Sequence, residues 1–213
     1  PDNVSNGEAP LIEPTTVAVH GVLRSGASSR DSVAVVGCGT VGLLTIQVLK
    51  SVDARVIAVD VRQESMTMAN KFGADLVIDA SSGDLSEKLK DVTNGVGPDI
   101  VIETAGAEMT PVKAIECVRR RGKVVLLGIY SATPRFDFNS IVGFEREVIG
   151  SVAADPDDYL KAINLIALGK VDVKPLITTT VPLERVIKDG FERMIEPEKS
   201  VYRIVVTSGV SAA

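Results

Sequence analysis

Tryptophan is absent from this chain, aromatic residues make up only 4% of it, and histidine occurs once, at position 20. Cysteine occurs twice, as Cys38 and Cys117. Two cysteines so far apart make neither a disulfide framework nor a C-x-x-C metal pair, so a reducing, cytoplasmic setting is expected. No apolar run approaches the roughly 20 residues of a membrane span, and no signal-peptide pattern opens the chain. Basic blocks are lacking too: 23 Lys and Arg against 28 Asp and Glu leave a net charge of −5. That balance argues against a nucleic-acid partner and against a membrane-surface role.

What is present supports a sizeable core: 213 residues, 45% of them apolar, suffice for one large domain or one domain plus part of another. The chain starts at Pro1, not Met, and enters in the middle of a pattern. It is therefore expected to be a piece of something longer, or trimmed.

Ser32 to Asp60 carries the strongest signal. Val33 to Val36 is a short β-branched run, and Gly37-Cys38-Gly39-Thr40-Val41-Gly42 is G-x-G-x-x-G. Thr40 to Ser51 has helical patterning, with Val41, Leu44 and Val48 on one stripe; Arg55 to Val59 is a second strand, ended by Asp60. Gly37 allows the sharp turn out of the strand. Gly39, lacking a Cβ, lets a pyrophosphate approach the backbone, and Gly42 lets helix and strand pack closely. The free N–H groups at the helix start attract the phosphates. An acid about 20 residues on accepts hydrogen bonds from a ribose diol. Strand before, helix after and acid at the next strand end together favour a dinucleotide site over a merely tight turn.

The chain then reads in order. Residues 3 to 25 suggest one or two lead-in helices, with Ser5 as N-cap, Glu8 as its capping-box partner, and Gly26 closing. After Asp60 come a helix over Gln63 to Phe72, a strand at Leu76 to Ile78 and a helix over Leu85 to Thr93. Next are a strand at Ile100 to Ile102, a helix over Glu108 to Arg119 and a strand at Lys123 to Leu127. A sixth strand at Glu147 to Val152 and a helix over Pro156 to Leu168 follow. Short strands, apolar throughout and alternating with helices, predict an α/β fold: a doubly wound, six-stranded parallel sheet of order 3-2-1-4-5-6. From Val171 the alternation stops: a strand at Leu176 to Val181, an amphipathic helix over Leu183 to Ile195, and a strand at Val201 to Val206. The organisation expected is lead-in helices over 1–26, a dinucleotide-binding domain over 27–170, and a C-terminal segment over 171–213 that returns to another domain.

Ligands bind open parallel sheets past the carboxyl ends of the strands. That rule selects Gly37, Gly39, Thr40, Val41 and Gly42 after strand one, and Asp60, Val61 and Arg62 after strand two. It also selects Thr104, Ala105 and Gly106 after strand four, and Leu127, Gly128 and Ile129, followed by Tyr130, at the end of strand five. The small residues suit either a floor beneath a flat ring or plain turn chemistry. Asp60 would repel a 2′-phosphate by roughly 1 to 4 kcal/mol at about 4 Å, which favours NAD over NADP. Arg62 is either a softening cation, a lid on the adenine or a solvated helix-start charge.

Taken together, LIEPTTVAVHGV (11–22), VVGCGTVGLLTIQVLK (35–50), VIAVD (56–60), KFGAD (71–75), VIETAGAE (101–108), GKVVLLG (122–128) and GKVDVKPLITTTVPLE (169–184) resemble the zinc-type medium-chain dehydrogenase/reductase family, in its alcohol, sorbitol and threonine dehydrogenase branch. The resemblance implies NAD-linked interconversion of a small alcohol or polyol and a carbonyl, with zinc in the full-length protein. It places Glu13, the acid of I-E-P, at the zinc, where the residue-level alternative is a first-turn acid that suits the helix dipole. It places His20 near the cleft but not as a direct ligand. The remaining zinc ligands belong to an N-terminal catalytic domain with no counterpart in these residues. About three protein ligands are needed, so an incomplete site is expected here, no catalytic residue is assigned, and residues 1–26 would link from that domain. After strand six the polyol branch often has Arg-Tyr, whereas this chain has Val152-Ala153-Ala154. The family often pairs through the sixth strand, so a homo-oligomer is expected. The alternatives are a stand-alone, non-catalytic NAD-binding module, and a zinc-free NADPH quinone- or enoyl-reductase-like protein. Asp60 and Glu13 argue against the second.

Overall fold

The β-branched runs form the strands of a parallel sheet. In the computed structural model, which describes residues 1–196 and 201–208, these are β1 (Ser32–Val36), β2 (Arg55–Asp60), β3 (Leu76–Asp79), β4 (Ile100–Glu103), β5 (Lys123–Leu126) and β6 (Glu147–Gly150). Their order is β3-β2-β1-β4-β5-β6, all pairs parallel, as the alternation predicts. Successive residues of β1 serve opposite cores, as strand pleating requires. Val33 and Val35 join one apolar cluster; Ala34 and Val36 join the other. The first core lies under α1 (Ile12–Ser25), α2 (Thr40–Lys50) and α7 (Pro156–Ala167). The second lies under α4 (Leu85–Asp91) and α5 (Thr110–Cys117). α3 (Gln63–Lys71) links β2 to β3 on the side of the first core, where Ala69 is buried.

Three helix ends show familiar local chemistry. Gly26, at φ 69°, closes α1 in the left-handed region. Asp84 caps α4 by accepting from Ser86 N at 2.7 Å and Glu87 N at 3.1 Å. Asp158 caps α7 by accepting from Asp155 N at 3.2 Å.

Three expectations need correction. Ser5 and Glu8 do bond to one another, but they close a turn and start no α-helix. Pro10 lacks the N–H that would bond Asn6, and only a short 3-10 turn at Ala9–Leu11 precedes α1. The helix expected over 183–195 is broken into a 3-10 turn (Leu183–Arg185), a π-type stretch (Val186–Phe191) and one helical turn (Glu192–Met194). Its apolar positions Leu183, Ile187, Phe191 and Met194 stand exposed, so they add no burial that would favour a regular α-helix. A short helix, α6 (Asn139–Val142), precedes β6 where none was expected.

Beyond residue 170 the chain leaves the alternation. β7 (Ile177–Pro182) and β8 (Arg203–Thr207) pair in parallel as a separate two-stranded sheet. This segment is well attached: Val171, Val173, Leu176 and Val205 are buried in the same core as β1 and α2. The side-chain amide of Gln47 clips onto the backbone of Asp172, donating at 3.1 Å and accepting at 2.7 Å. No helix of the described residues is long and apolar enough to cross a membrane.

Candidate functional site

The carboxyl ends of β1, β2 and β4 converge on a cleft of about 380 Å³. Seven of the residues selected from the sequence line it: Gly37, Gly39, Asp60, Val61, Arg62, Thr104 and Ala105. Lys113, which sequence reasoning did not select, lines its far side.

The three turn glycines answer to different constraints. Gly37 sits at φ 96°, and a Cβ there would stand 2.8 Å from the backbone of Ala105. A Cβ on Gly42 would collide with the carbonyl oxygen of Gly37, so α2 can pack on the turn only with glycine there. A Cβ on Gly39 would meet no atom of the described residues within 4 Å. The chain itself therefore makes no demand for glycine at position 39. The space it leaves open lies at the N-terminus of α2, where N–H groups are free to receive an anion.

Asp60 is buried at the end of β2 and is wired to this turn. One carboxylate oxygen accepts from Cys38 N at 2.6 Å; the other accepts from Val61 N and Arg62 N, both at 2.8 Å. The Arg62 guanidinium is 3.6 Å away and half exposed. The carboxylate keeps lone-pair capacity on the cleft side, where a hydroxyl can donate to it. Cys38 is buried, and desolvation with the Asp60 charge pushes its thiol up to about 12, so it remains a thiol at neutral pH.

Across β1, Thr104 donates its hydroxyl to the carbonyl of Gly37 at 2.8 Å and fixes the β4 loop to the glycine turn. Gly106, at φ 65°, and Gly128 interlock. A Cβ on Gly128 would stand 2.7 Å from Gly106, and one on Gly106 would stand 2.9 Å from the Ile129 carbonyl. Turn packing alone therefore requires these two glycines. They lie outside the cleft, as do Leu127 and Ile129, and Ile129 is 89% exposed. Leu127 packs its side chain on Gly21 of α1. Thr40, Val41 and Gly42 form the first turn of α2, and Thr40 donates to the Tyr202 carbonyl at 2.8 Å.

One residue at the centre of these loops was not selected from the sequence. Glu103 ends β4 and is fully buried. One of its oxygens accepts from Ala105 N (2.8 Å), Gly106 N (2.9 Å) and the Thr110 hydroxyl (2.7 Å), and the other accepts from the Tyr130 hydroxyl. Burial, together with the Glu103 charge and hydrogen bond, pushes the Tyr130 phenol well above its ordinary value and keeps it a donor. The sequence signal was an acid closing an apolar run directly before Thr-Ala-Gly, read there only as part of a motif.

The donor set for zinc is different. Glu13 lies in the first turn of α1, exposed. Among the described residues, the metal-type donors that converge are His20, Asp155 and Asp158, without Glu13. His20 Nδ1 lies 2.7 Å from Asp158, which also binds Lys161 at 3.1 Å and accepts from the backbone N–H of Asp155. The described residues do not fit a zinc centre built on Glu13.

Comparison with known proteins follows the same lines. Residues 40–167 match the family model described as zinc-binding dehydrogenase. The (R,R)-butanediol dehydrogenase of Neisseria gonorrhoeae is 32% identical over 206 residues, covering 96% of this chain and 58% of that protein. A solved alcohol dehydrogenase of Escherichia coli CFT073, complexed with NADH, superposes with a TM-score of 0.88 at 26% identity, covering 97% of this chain and 61% of that one. A solved protein of Sinorhizobium meliloti 1021, described as a zinc-binding dehydrogenase and bound to NADP, gives 0.83 at 27% identity, covering 92% and 58%. The chain thus spans less than two thirds of the relatives it matches.

Proposed function

The chain belongs to the zinc-type medium-chain dehydrogenase family, and on that premise we propose that it forms the dinucleotide-binding portion of an NAD-linked alcohol or polyol dehydrogenase. The observation that carries the reading is the open space at Gly39, bordered by the α2 N-terminus and by the Asp60 carboxylate across the turn. The nicotinamide group, when bound, supplies the hydride acceptor for an alcohol. The residues here bind and orient it. The turn N–H groups receive the pyrophosphate, Asp60 receives the ribose, and the apolar walls at Val36, Val59 and Leu85 exclude water around the adenine.

Asp60 supports NAD over NADP, since a 2′-phosphate would meet a buried carboxylate. Zinc belongs, in this proposal, to the longer protein, with Glu13 as this chain's one offered residue. The substrate is a small alcohol or polyol, the setting cytoplasmic and the assembly a homo-oligomer. The exposed edge strand β6 supports the last point. Calorimetric titration with NADH and NADPH, with and without zinc, tests the reading. NADH should bind more tightly, and zinc should leave its affinity unchanged. Tighter NADPH binding would overturn the cofactor assignment and favour a zinc-free reductase.

A further inference from the structure

Cations gather at one place in a chain whose net charge is −5. The strands of the large sheet all run parallel, so their amino ends share one edge, opposite the carboxyl ends that border the dinucleotide cleft. At that amino edge a second cleft, of about 640 Å³, lies among the loops that enter β4, β5 and β6. Lys90, Arg119, Arg120 and Arg146 line it, and Glu116 is the one acid among its described lining residues. No described residue lines both clefts.

Local carboxylates do not balance these cations. Arg119 donates to Asp99 at 2.7 Å. Arg120 reaches Glu145 at 3.3 Å, but Arg121 holds the same carboxylate oxygen at 2.6 Å. Lys90 and Arg146 form no ion pair among the described residues. Helix ends explain part of the gathering. Lys90 lies in the last turn of α4, and Arg146 Nη2 donates at 3.0 Å to the carbonyl of Glu116, in the last turn of α5. A helix C-terminus offers only about half a negative elementary charge, so positive charge remains in surplus. Arg146 shows the surplus most clearly. Its guanidinium lies over the Phe144 ring, 4.4 Å from the centroid, and partial burial pulls its pKa below the ordinary value. Its Nε and the neighbouring Ser140 hydroxyl are shut off from water and have no hydrogen-bond partner among the described residues. A partly desolvated guanidinium without a counter-charge is a cost that a bound anion offsets.

We infer that this cleft is a second binding site, for a small polyanion that carries two or more phosphate groups. Guanidinium groups match phosphate oxygens with paired N–H donors, and lysine adds a point charge. The cations come from three separate stretches: the end of α4, the loop before β5 and the loop before β6. Linked phosphates engage more of them at once than a single phosphate does. The volume falls within the roughly 300–1,000 Å³ of small-molecule sites. The site does not depend on the dinucleotide reading, because its residues are separate.

The test is calorimetric titration of the full chain with inorganic tripolyphosphate at fixed ionic strength, with and without saturating NADH. Lys90→Gln combined with Arg120→Gln removes two exposed cations and leaves Arg146 on the end of α5. Lys71→Gln combined with Lys170→Gln makes the same charge change at exposed positions outside both clefts. Urea midpoints confirm that both double variants are folded. Tripolyphosphate should bind with a Kd below about 1 mM, at least about ten-fold more tightly than orthophosphate. Each exposed pairing is worth up to about three-fold to ten-fold, so the cleft variant should lose about ten-fold in affinity or more. The control variant should change by less than about two-fold, and NADH should leave tripolyphosphate binding unchanged. Equal loss in both variants would mean a net-charge effect and overturn the site. Displacement by NADH with no loss in the cleft variant would place the anion at the glycine turn and overturn it as well. Orthophosphate binding as tightly as tripolyphosphate, or no binding of either, would also overturn it, and neither result would touch the dinucleotide reading.

Discussion

The backbone N–H of Cys38 donates to the Asp60 carboxylate at 2.6 Å, so the last residue of β2 clamps the turn that leaves β1. Asp60 therefore has a structural role beside the specificity role proposed for it. Asp60→Asn should separate the two roles. The amide can still accept from one side, but it leaves a buried N–H without an acceptor, which costs about 1–3 kcal/mol in urea unfolding. Loss of the charge should also raise NADPH affinity relative to NADH by about ten-fold, read by calorimetry.

Two glycines three positions apart should behave oppositely. Gly39→Ala places its methyl in open space at an ordinary backbone angle, so stability should change by no more than about 0.5 kcal/mol. Its NADH affinity should fall sharply, because the methyl occupies the anion's place. Gly42→Ala drives a methyl into the Gly37 carbonyl and should destabilise the fold by about 1–3 kcal/mol. Unchanged NADH binding by a folded Gly39→Ala would count against the cradle.

Much of this was legible beforehand, and the reasons differ by residue. Strand order followed from the alternation of apolar runs with helical stripes, and Gly37 and Gly42 followed from a spacing dictated by contacts within the chain. Glu103 was not legible because burial is a tertiary property. An acid after Ile-Val-Ile reads as the exposed end of a strand until its four donors are seen. The helix expected over 183–195 failed for the opposite reason. Its stripe was correctly periodic, but the stripe faces no partner among the described residues, and periodicity alone does not stabilise a helix.

Acid stability should depend on Asp158. Burial pushes its carboxyl up, but hydrogen bonds from His20, Lys161 and the Asp155 backbone more than offset this and hold it below its ordinary value. A carboxyl lowered in the folded state contributes stability that is present above its unfolded value of about 4 and is lost as pH falls through the folded value. The unfolding midpoint should therefore drop steeply below about pH 4, and Asp158→Asn should be less stable at neutral pH with a shallower slope in acid. Parallel curves for the two proteins would remove Asp158 from the account.

Metal removal should leave this chain unmoved. Of the converging donors His20, Asp155 and Asp158, His20 and Asp158 are already bonded to each other, so zinc has no fully vacant set to enter. Dialysis against a chelator should shift the melting temperature by less than about 1 °C, well under the shift that about 1 kcal/mol produces in a domain of this size. Stoichiometric zinc retained after dialysis, measured by elemental analysis, would contradict this.

Gln47 and Thr40, both on α2, grip the chain beyond residue 170, one at Asp172 and the other at Tyr202. The helix at the proposed phosphate cradle is thus braced from behind by the last part of the chain. An expression boundary drawn at residue 170, where the strand–helix alternation stops, would remove Val171, Val173, Leu176 and Val205 from the core and leave α2 held on one side only. Sequence rhythm marks where a pattern ends; the smallest piece that folds by itself is marked by what its helices lean on.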